Sequence, residues 1–579
     1  MSNPVVLTLT TSDPVHDYTQ LYNAISAISV GGGLAAANTD YIINFSTSGA
    51  ARTLQLLDDL PAINLMSGST LTFDGSSDYN NQLGGQDNSD VIDARGYQGF
   101  VVVAGKVTFK NLTIVNAVAS GGGGGTGGGG GGAGLGGGLF VGQNADVTLN
   151  NVNFGSNTAK GGNGGAVDPA GGGGGGFGGQ DYYGDHGNGA NGYSEAGSDS
   201  QHPSTGAQTS SGTPATVVGP GGGQSADNYG GIGFGAHASG GANGGGGAGG
   251  VGGGGGGIGG GNSVGGSPSG TLIGFGGAGG FGGAGGVGGG GGGGIYGGGD
   301  GGFAGGGGGS GNGSGYTHTG GDGGFGGGGG GSNGTPGTGG FGAGSGSLAG
   351  GGGGGLGAGG DIFVQQGGKL TVIGGTLMDA TETGGTGANG AGNGSAYGDI
   401  FIQGTMVVTP THTVPTFSQG LQTVTTLTIG DTIADEKGIS GSGTSGKLVV
   451  SGGGTLTLTA ANTYVGGTQI DGGNVLSITA DNNIVGSTGA LILNGGTFDI
   501  SSGTIVDTGS ISGSGSFMLS GAGTLQLGMG QLAGLTGTFG LSSAHLSLTS
   551  SGTFDDALSV SGNRSCRSRT VRPSPTPPS

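Results

Sequence analysis

The sequence predicts an all-β chain, a coil of short parallel strands interrupted by a long Gly-rich insertion. Three observations carry this. Extended segments recur at fixed spacing: Phe100-Val101, five residues, Val107-Thr108; then Phe140-Val141, five residues, Val147-Thr148; then Phe363-Val364, five residues, Leu370-Thr371. Each copy reaches a residue that tolerates left-handed backbone four positions after its Val or Leu, namely Asn111, Asn151 and Gly374. Glycine is also unevenly spread. Residues 121–360 hold 119 of the 172 Gly, leaving 53 for the other 339 positions. Short strands joined by recurring corners describe a coil that buries its apolar residues only by stacking on the next coil.

Taken in order, residues 1–50 form an N-terminal cap region. Leu21, Ala24, Ile25 and Ile28 sit at helical spacing and predict a helix over Tyr18–Ser29. Residues 51–160 read as coils, with strands at Thr70–Phe73, Phe100–Val103, Val107–Phe109 and Val147–Leu149. An antiparallel sandwich is the competing reading. The in-register corners favour the coil.

Residues 161–355 form the insertion. The Gly-rich block is flanked by Gly134–Phe140 and Gly355–Phe363, which resemble each other, so it reads as a loop expanded between successive coils. Fixing a residue costs about 1–2 kcal/mol, and Gly brings no side chain to offset that. The block is therefore expected to be mostly disordered, with extended polyglycine packing as the second possibility. Phe177, Phe234, Phe275, Phe281, Phe303, Phe325 and Phe341 are candidates to pin it to the coils.

Residues 356–562 return to strands, such as Lys369–Ile373 and Thr455–Leu458. Here Ile439–Leu458 repeats as Ile511–Leu527, 72 positions later, which suits coils of roughly 20–25 residues. Residues 563–579 shift abruptly to Arg, Ser and Pro and hold the single cysteine, Cys566. A frameshifted or truncated gene product is the expected origin of that tail.

Composition excludes several classes. Collagen needs a strict triplet, and the runs Gly121–Gly125 and Gly252–Gly257 break it. The chain has 12 basic and 32 acidic residues, and four of the basic ones, Arg564, Arg567, Arg569 and Arg572, lie in the tail. The body thus carries 8 against 32, which argues against nucleic acid or an anionic membrane as partner. One cysteine allows no disulfide framework. No apolar run approaches the length of a membrane-spanning helix, and Met1–Pro14 shows no standard secretory signal.

Candidate chemistry is sparse. Parallel coils can host glycan-cleaving carboxylate pairs, and Asp58-Asp59, Asp87/Asp90/Asp93 and Asp555-Asp556 are the available acids. Solvated turn aspartates are the preferred reading. Gly441–Lys447 mimics a phosphate loop, but Leu448 stands where Ser or Thr is needed and a strand follows. Asp300 and Asp322 miss the spacing of calcium nonapeptides, and His186, His202, His237 and His318 are scattered. No catalytic, cofactor-binding or metal-binding residue is assigned, and no cofactor is expected.

Gly452–Ile478 contains Gly-Thr-Leu-Thr-Leu followed by Asn-Thr-Tyr-Val-Gly-Gly-Thr-Gln-Ile. It resembles the autotransporter-associated β-strand repeat of bacterial autotransporter passenger regions. The copy near Gly523 keeps the first half. Phe154–Asn157 with Gly164–Val167 is similar to the paired motifs of polymorphic outer-membrane proteins. The resemblance covers about residues 50–160 and 355–560. It implies a right-handed parallel β-helix, secreted or displayed at the outer membrane of a Gram-negative bacterium, serving adhesion, virulence or surface structure without catalysis. Host or cell-surface glycans or proteins are the implied partners. The translocator barrel usual in such proteins is not visible in this sequence. A polysaccharide-active β-helix enzyme and a Gly-rich structural protein are the alternatives.

Overall fold

The computed structural model describes residues 4–9, 14–45, 52–75, 90–167, 172–177, 290–291, 293, 297–310, 318–416, 420–478, 489–500, 504–506, 509–520, 524–527, 531, 534–542, 545–548, 557–561 and 567–568. The chain forms two compact units. One comprises 1–146, 154–363 and 379–401; the other comprises 147–153, 364–378 and 402–579.

The first unit opens on Val5–Thr8 and a helix at Pro14–Ile28. The helix begins earlier than its apolar spacing suggests, because Pro14 suits a first turn, where its missing N–H costs nothing. Leu21, Ile25 and Ile28 are fully buried, as their spacing requires. Parallel strands then stack in coils. Val5–Thr8, Asp40–Asn44, Thr70–Asp74 and residues 106–110 form one ladder, and Thr53–Gln55, Asp90–Asp93 and residues 112–115 another. Ile63–Asn64 pairs with residues 102–104 on a third face. Phe100–Val115 therefore crosses all three faces, bending at Gly105 (φ 108°) and Asn111 (φ 50°). Asn151 (φ 55°) and Gly374 (φ 69°) are left-handed as well, so the recurring corners are borne out. Inward residues align in columns, as in Ile43, Phe73 and Phe109, with the last two rings stacked 4.7 Å apart. Each such side chain contributes about 1.5–3 kcal/mol through burial.

Further along the same unit stand two three-stranded parallel sheets. Val118–Ser120, Thr158–Lys160 and Thr381–Thr383 lead out of the coils. Gly134–Leu135, Gly357–Ala358 and Ala396–Tyr397 lead back. Between each outgoing and returning strand the chain makes glycine legs. In the first and third coils this is a single hairpin, over 121–133 and 384–395. In the second the 161–355 insertion stands there, and its described residues supply the legs.

Within the described residues of that insertion, the chain takes extended polyglycine packing. Residues 129–134 show the rule. Their N–H groups donate in turn to the carbonyls of Gly125, Gly307, Gly353, Gly122, Ala304 and Leu356, at 2.8–3.1 Å. The same neighbouring leg recurs at every third residue, the period of a polyproline-II helix. Carbonyls of this segment accept from three other legs: Gly129 and Gly132 from Gly165 and Gly162, Gly130 from Gly175, Gly128 and Gly131 from Gly331 and Gly328. One leg is thus surrounded by six.

The legs form four layers of alternating direction. The first holds 121–125, 161–165 and 384–388. The second holds 172–176, 129–133, 351–355 and 392–395. The third holds 290–291, 305–309, 327–331 and 343–347, and the fourth 297–301, 319–323 and 335–340. A Cβ at Gly131 would collide with the carbonyl of Gly162, and one at Gly130 with that of Gly328. The α-hydrogen in that place makes a Cα–H···O contact instead. Side chains are admitted at outward positions. Asn163 and Thr386 on the first layer are joined by Oδ1 accepting the Thr386 N–H and hydroxyl, both at 2.9 Å.

Phenylalanines anchor the layers. Phe140, Phe363 and Phe401 form a stacked column in the coils, with spacings of 5.5 and 5.3 Å. Phe177 packs on Phe140 at 5.0 Å, while Phe303 and Phe325 meet Phe363, and Phe325 and Phe341 meet Phe401. Four of the seven expected pins therefore act as such. Phe234, Phe275 and Phe281 lie outside the described residues.

The second unit has two long parallel ladders. One runs Lys369–Leu377, Thr405–Thr409, Lys447–Val450, Thr468–Asp471, Leu491–Asn494, Ile511–Gly513. The other runs Thr426–Ile429, Gly454–Leu458, Asn474–Ile478, Thr497–Ile500, Ser516–Ser520, Thr538–Ser542 and Ala557–Ser561. Leu448 pairs with Thr468, Thr468 with Leu491 and Leu491 with Ile511. Each coil therefore has a length at the short end of the range for solenoid repeats. The two copies of the long repeat fall on different faces: Lys447–Val450 lies in the first ladder and Ser516–Ser520 in the second. Ile439 and Ser440 close the short helix Glu436–Ser440, whereas Ile511–Gly513 is a strand.

The layer rule predicts a sharp positional contrast. Gly131→Ala is expected to cost about 1–3 kcal/mol by overpacking. Gly123→Ala, whose Cβ would meet only the Asn163 carbonyl, at 3.8 Å, is expected to be near neutral. Thermal melts of the two variants measure the difference.

Candidate functional site

The stretch singled out by its sequence, Gly452–Ile478, is built around buried polar residues. Leu448 and Val450 point into the core of the second unit from Lys447–Val450. The chain then turns through Gly452, Gly453 and Gly454, all at φ between 83° and 94°, where an L side chain would be strained. Asn474, 1% exposed, holds this corner. Its Oδ1 accepts the Gly453 N–H at 2.7 Å, and its Nδ2 donates to the carbonyls of Asp471 and Gly472.

The Asn-Thr-Tyr-x-Gly-Gly-Thr segment, 462–468, makes the next corner. Asn462 is buried and its Oδ1 accepts the Ile433 N–H at 2.8 Å, tying one coil to the preceding one. Tyr464 fills the core, with its hydroxyl 2.7 Å from the Thr468 hydroxyl. Burial pushes the Tyr464 phenol up from its usual value. Gly466 leaves no room for a Cβ against the Gly446 carbonyl.

Asp435, outside the quoted motif, organises this corner. It is fully buried and caps the helix Glu436–Ser440. Its Oδ1 accepts from Gly438, and its Oδ2 accepts from Gly446 and Val465, at 2.6–3.0 Å. Burial raises its carboxyl above the ordinary value against the pull of these N–H groups. Sequence reasoning did not single out Asp435. An Asp four residues before Ile439, preceding a short polar run, is the signal for a helix cap.

Residues 448–478 match the model of the passenger-associated transport repeat. The match spans 31 of the 579 residues and supports a passenger-type repeat there. Its recurring residues therefore serve the coil: Asn462 and Asn474 bind neighbouring backbone, Tyr464 and Thr468 bond inside the core, and the glycines make corners. No curated protein and no solved structure matches the chain. The repeat implies secretion or surface display by a Gram-negative bacterium.

The other candidates are dispersed. Asp58 is exposed and its Oδ1 accepts the Asp59 N–H; Asp59 is buried and accepts the Gln98 N–H at 2.8 Å. Asp90, 1% exposed, accepts the Arg52 N–H at 2.8 Å. Asp93 accepts from the Arg95 N–H and the Asn116 amide. Each serves backbone or corner geometry. Asp87, Asp555, Asp556, His186, His202 and His237 lie outside the described residues. Among those described, no three His, Cys, Asp or Glu are placed to hold a metal ion. Gly441 (φ 77°) closes the short helix, and Lys447 begins a strand and bonds Gln469, so 441–447 is no phosphate cradle. Asn157 of the weaker motif is buried and bonds Ala117, Ile114 and Asp361.

Two expectations follow. Asp435→Ala orphans the buried Gly446 N–H and the half-buried Gly438 and Val465 N–H groups and is expected to cost about 2–3 kcal/mol; chemical denaturation checks it. Burial raises the Asp59 carboxyl to about 7 and the Asp90 carboxyl to about 6. The folded chain then holds more protons than the unfolded chain between about pH 4 and 7. The contribution of these two groups to stability is full below that window and is lost as pH rises through it. In melts from pH 4 to 8, Asp59→Asn with Asp90→Asn is expected to flatten this part of the slope.

Proposed function

We propose that this protein is a surface-displayed or secreted, non-catalytic autotransporter-type passenger that serves adhesion or surface structure. The transport repeat at 448–478, set into a continuous parallel solenoid, carries the reading. Two further observations support it. The buried polar residues of the repeat serve coil corners, and the described candidate acids hold backbone rather than converging on a shared cleft.

The test uses the full chain in the bacterium that encodes it. Antibody labelling of intact cells and protease shaving are expected to find the chain outside the outer membrane or in the medium. Gly467→Val places a β-branched residue at φ 94° inside the repeat. It is expected to lower the exported amount several-fold with synthesis unchanged. A chain that stays in the cytoplasm, inaccessible to protease, would overturn the proposal.

A further inference from the structure

We propose that the outer face of the fourth polyglycine layer binds a linear, neutral polysaccharide. This deepens the adhesion reading and rests on it.

The face consists of three parallel legs, in which Gly297, Thr319 and Thr335 lie abreast. One residue in three faces outward, so rows of like side chains cross the legs. Thr319 and Thr335 form one row, Asp300, Asp322 and Thr338 the next, and Phe303, Phe325 and Phe341 the last. The Thr residues and Asp322 are exposed, and the rings are half-buried. Ring centroids of successive legs lie 5.1 and 5.3 Å apart. Along a leg, three residues of about 3.1 Å rise separate the rows by about 9 Å. Hydroxyl, then carboxylate or hydroxyl, then ring follow in order on the legs of Thr319 and Thr335, and the leg of Gly297 keeps the last two.

The polar groups are preorganised. Asp300 Oδ1 accepts the Asp322 N–H, and Asp322 Oδ1 accepts both the N–H and hydroxyl of Thr338, at 2.7–2.8 Å. One oxygen of each carboxylate takes part in these bonds. Little side-chain entropy remains to be lost on binding. Carboxylates and hydroxyls suit sugar hydroxyls, and the half-buried rings add apolar surface for the C–H side of a pyranose. No Lys or Arg occurs between Lys160 and Lys369. An anionic glycan, a nucleic acid or an acidic membrane therefore finds no counter-charge here. A periodic polymer can occupy successive legs at once and gain by multivalency, whereas an irregular peptide meets the matching chemistry once.

The experiment is retention of the purified full chain by suspended cellulose, chitin and mannan, with heparin as the anionic comparison. Thr319→Arg with Thr335→Arg alters outward positions that already carry side chains, and circular dichroism checks the fold. Thr126→Arg, in an exposed turn of the first layer, is the control. The wild type and the control are expected to be retained by at least one neutral polymer, and the double variant at least ten-fold less. Loss of wild-type retention on all three, equal retention of the double variant, or preference for heparin would each overturn the proposal. Cell-surface labelling is scored separately, so a displayed chain that fails to bind removes this face and leaves the passenger reading standing.

Discussion

Every extended segment in this protein must place its backbone N–H and C=O groups on a neighbouring segment, because a buried amide without a partner is costly. The coils meet that constraint with parallel ladders, and the described residues of the insertion meet it with threefold legs. The two solutions differ in what else they bury. A coil adds columns of Leu, Ile, Val and Phe, such as Leu456, Leu476, Phe498, Phe517 and Phe539. A glycine leg adds almost nothing beyond its own backbone. It can be surrounded by six others because no side chain holds them apart.

That difference explains how the Gly-rich legs are kept in place. Glycine loses the most conformational freedom on ordering, and the legs have no hydrophobic face to compensate. Ordering comes from their ends. The outgoing and returning strands at 118–120 and 134–135 belong to parallel sheets, so the first hairpin starts and finishes at fixed points. The inner turns of the expanded hairpins each carry a Phe that stacks on its neighbours and meets Phe363 or Phe401 edge-on or tilted. Ala304, Gly326 and Gly342 follow those rings at φ 66–74°, reversing the chain there. Phenylalanine thus sets the register that glycine alone leaves free to slip.

In the transport repeat, polar burial does comparable work. Asp435, Asn462 and Asn474 are enclosed and carry bonds to backbone of the adjoining turns. A corner satisfied in this way sets where each coil ends and the next begins. The repeat's residues are therefore read as parts of a folding unit. The side chains free to meet a partner lie elsewhere, at outward positions of coils and legs.

Local spacing was enough to place the coil, its corners at Asn111, Asn151 and Gly374, its strands and the passenger-type repeat. Those features depend on short-range periodicity and on residues that only a tight turn accepts. The same reading found four of the ring anchors from isolated Phe residues in glycine. It expected disorder for the insertion first and polyglycine packing second, because no single leg shows what its neighbours supply. Polyglycine packing is what the described residues of the insertion take, and 178–289 lie outside them. Whether Gly131 or Gly123 tolerates a side chain depends on which neighbour each position faces, and those neighbours come from distant parts of the chain. Identical glycines carry no mark of that difference. The two copies of the long repeat fall on different faces for a related reason: three coils, from Leu448 to Ile511, take 511 − 448 = 63 residues, so a separation of 72 runs past whole coils onto the next face, and only the ladder pairing fixes that length.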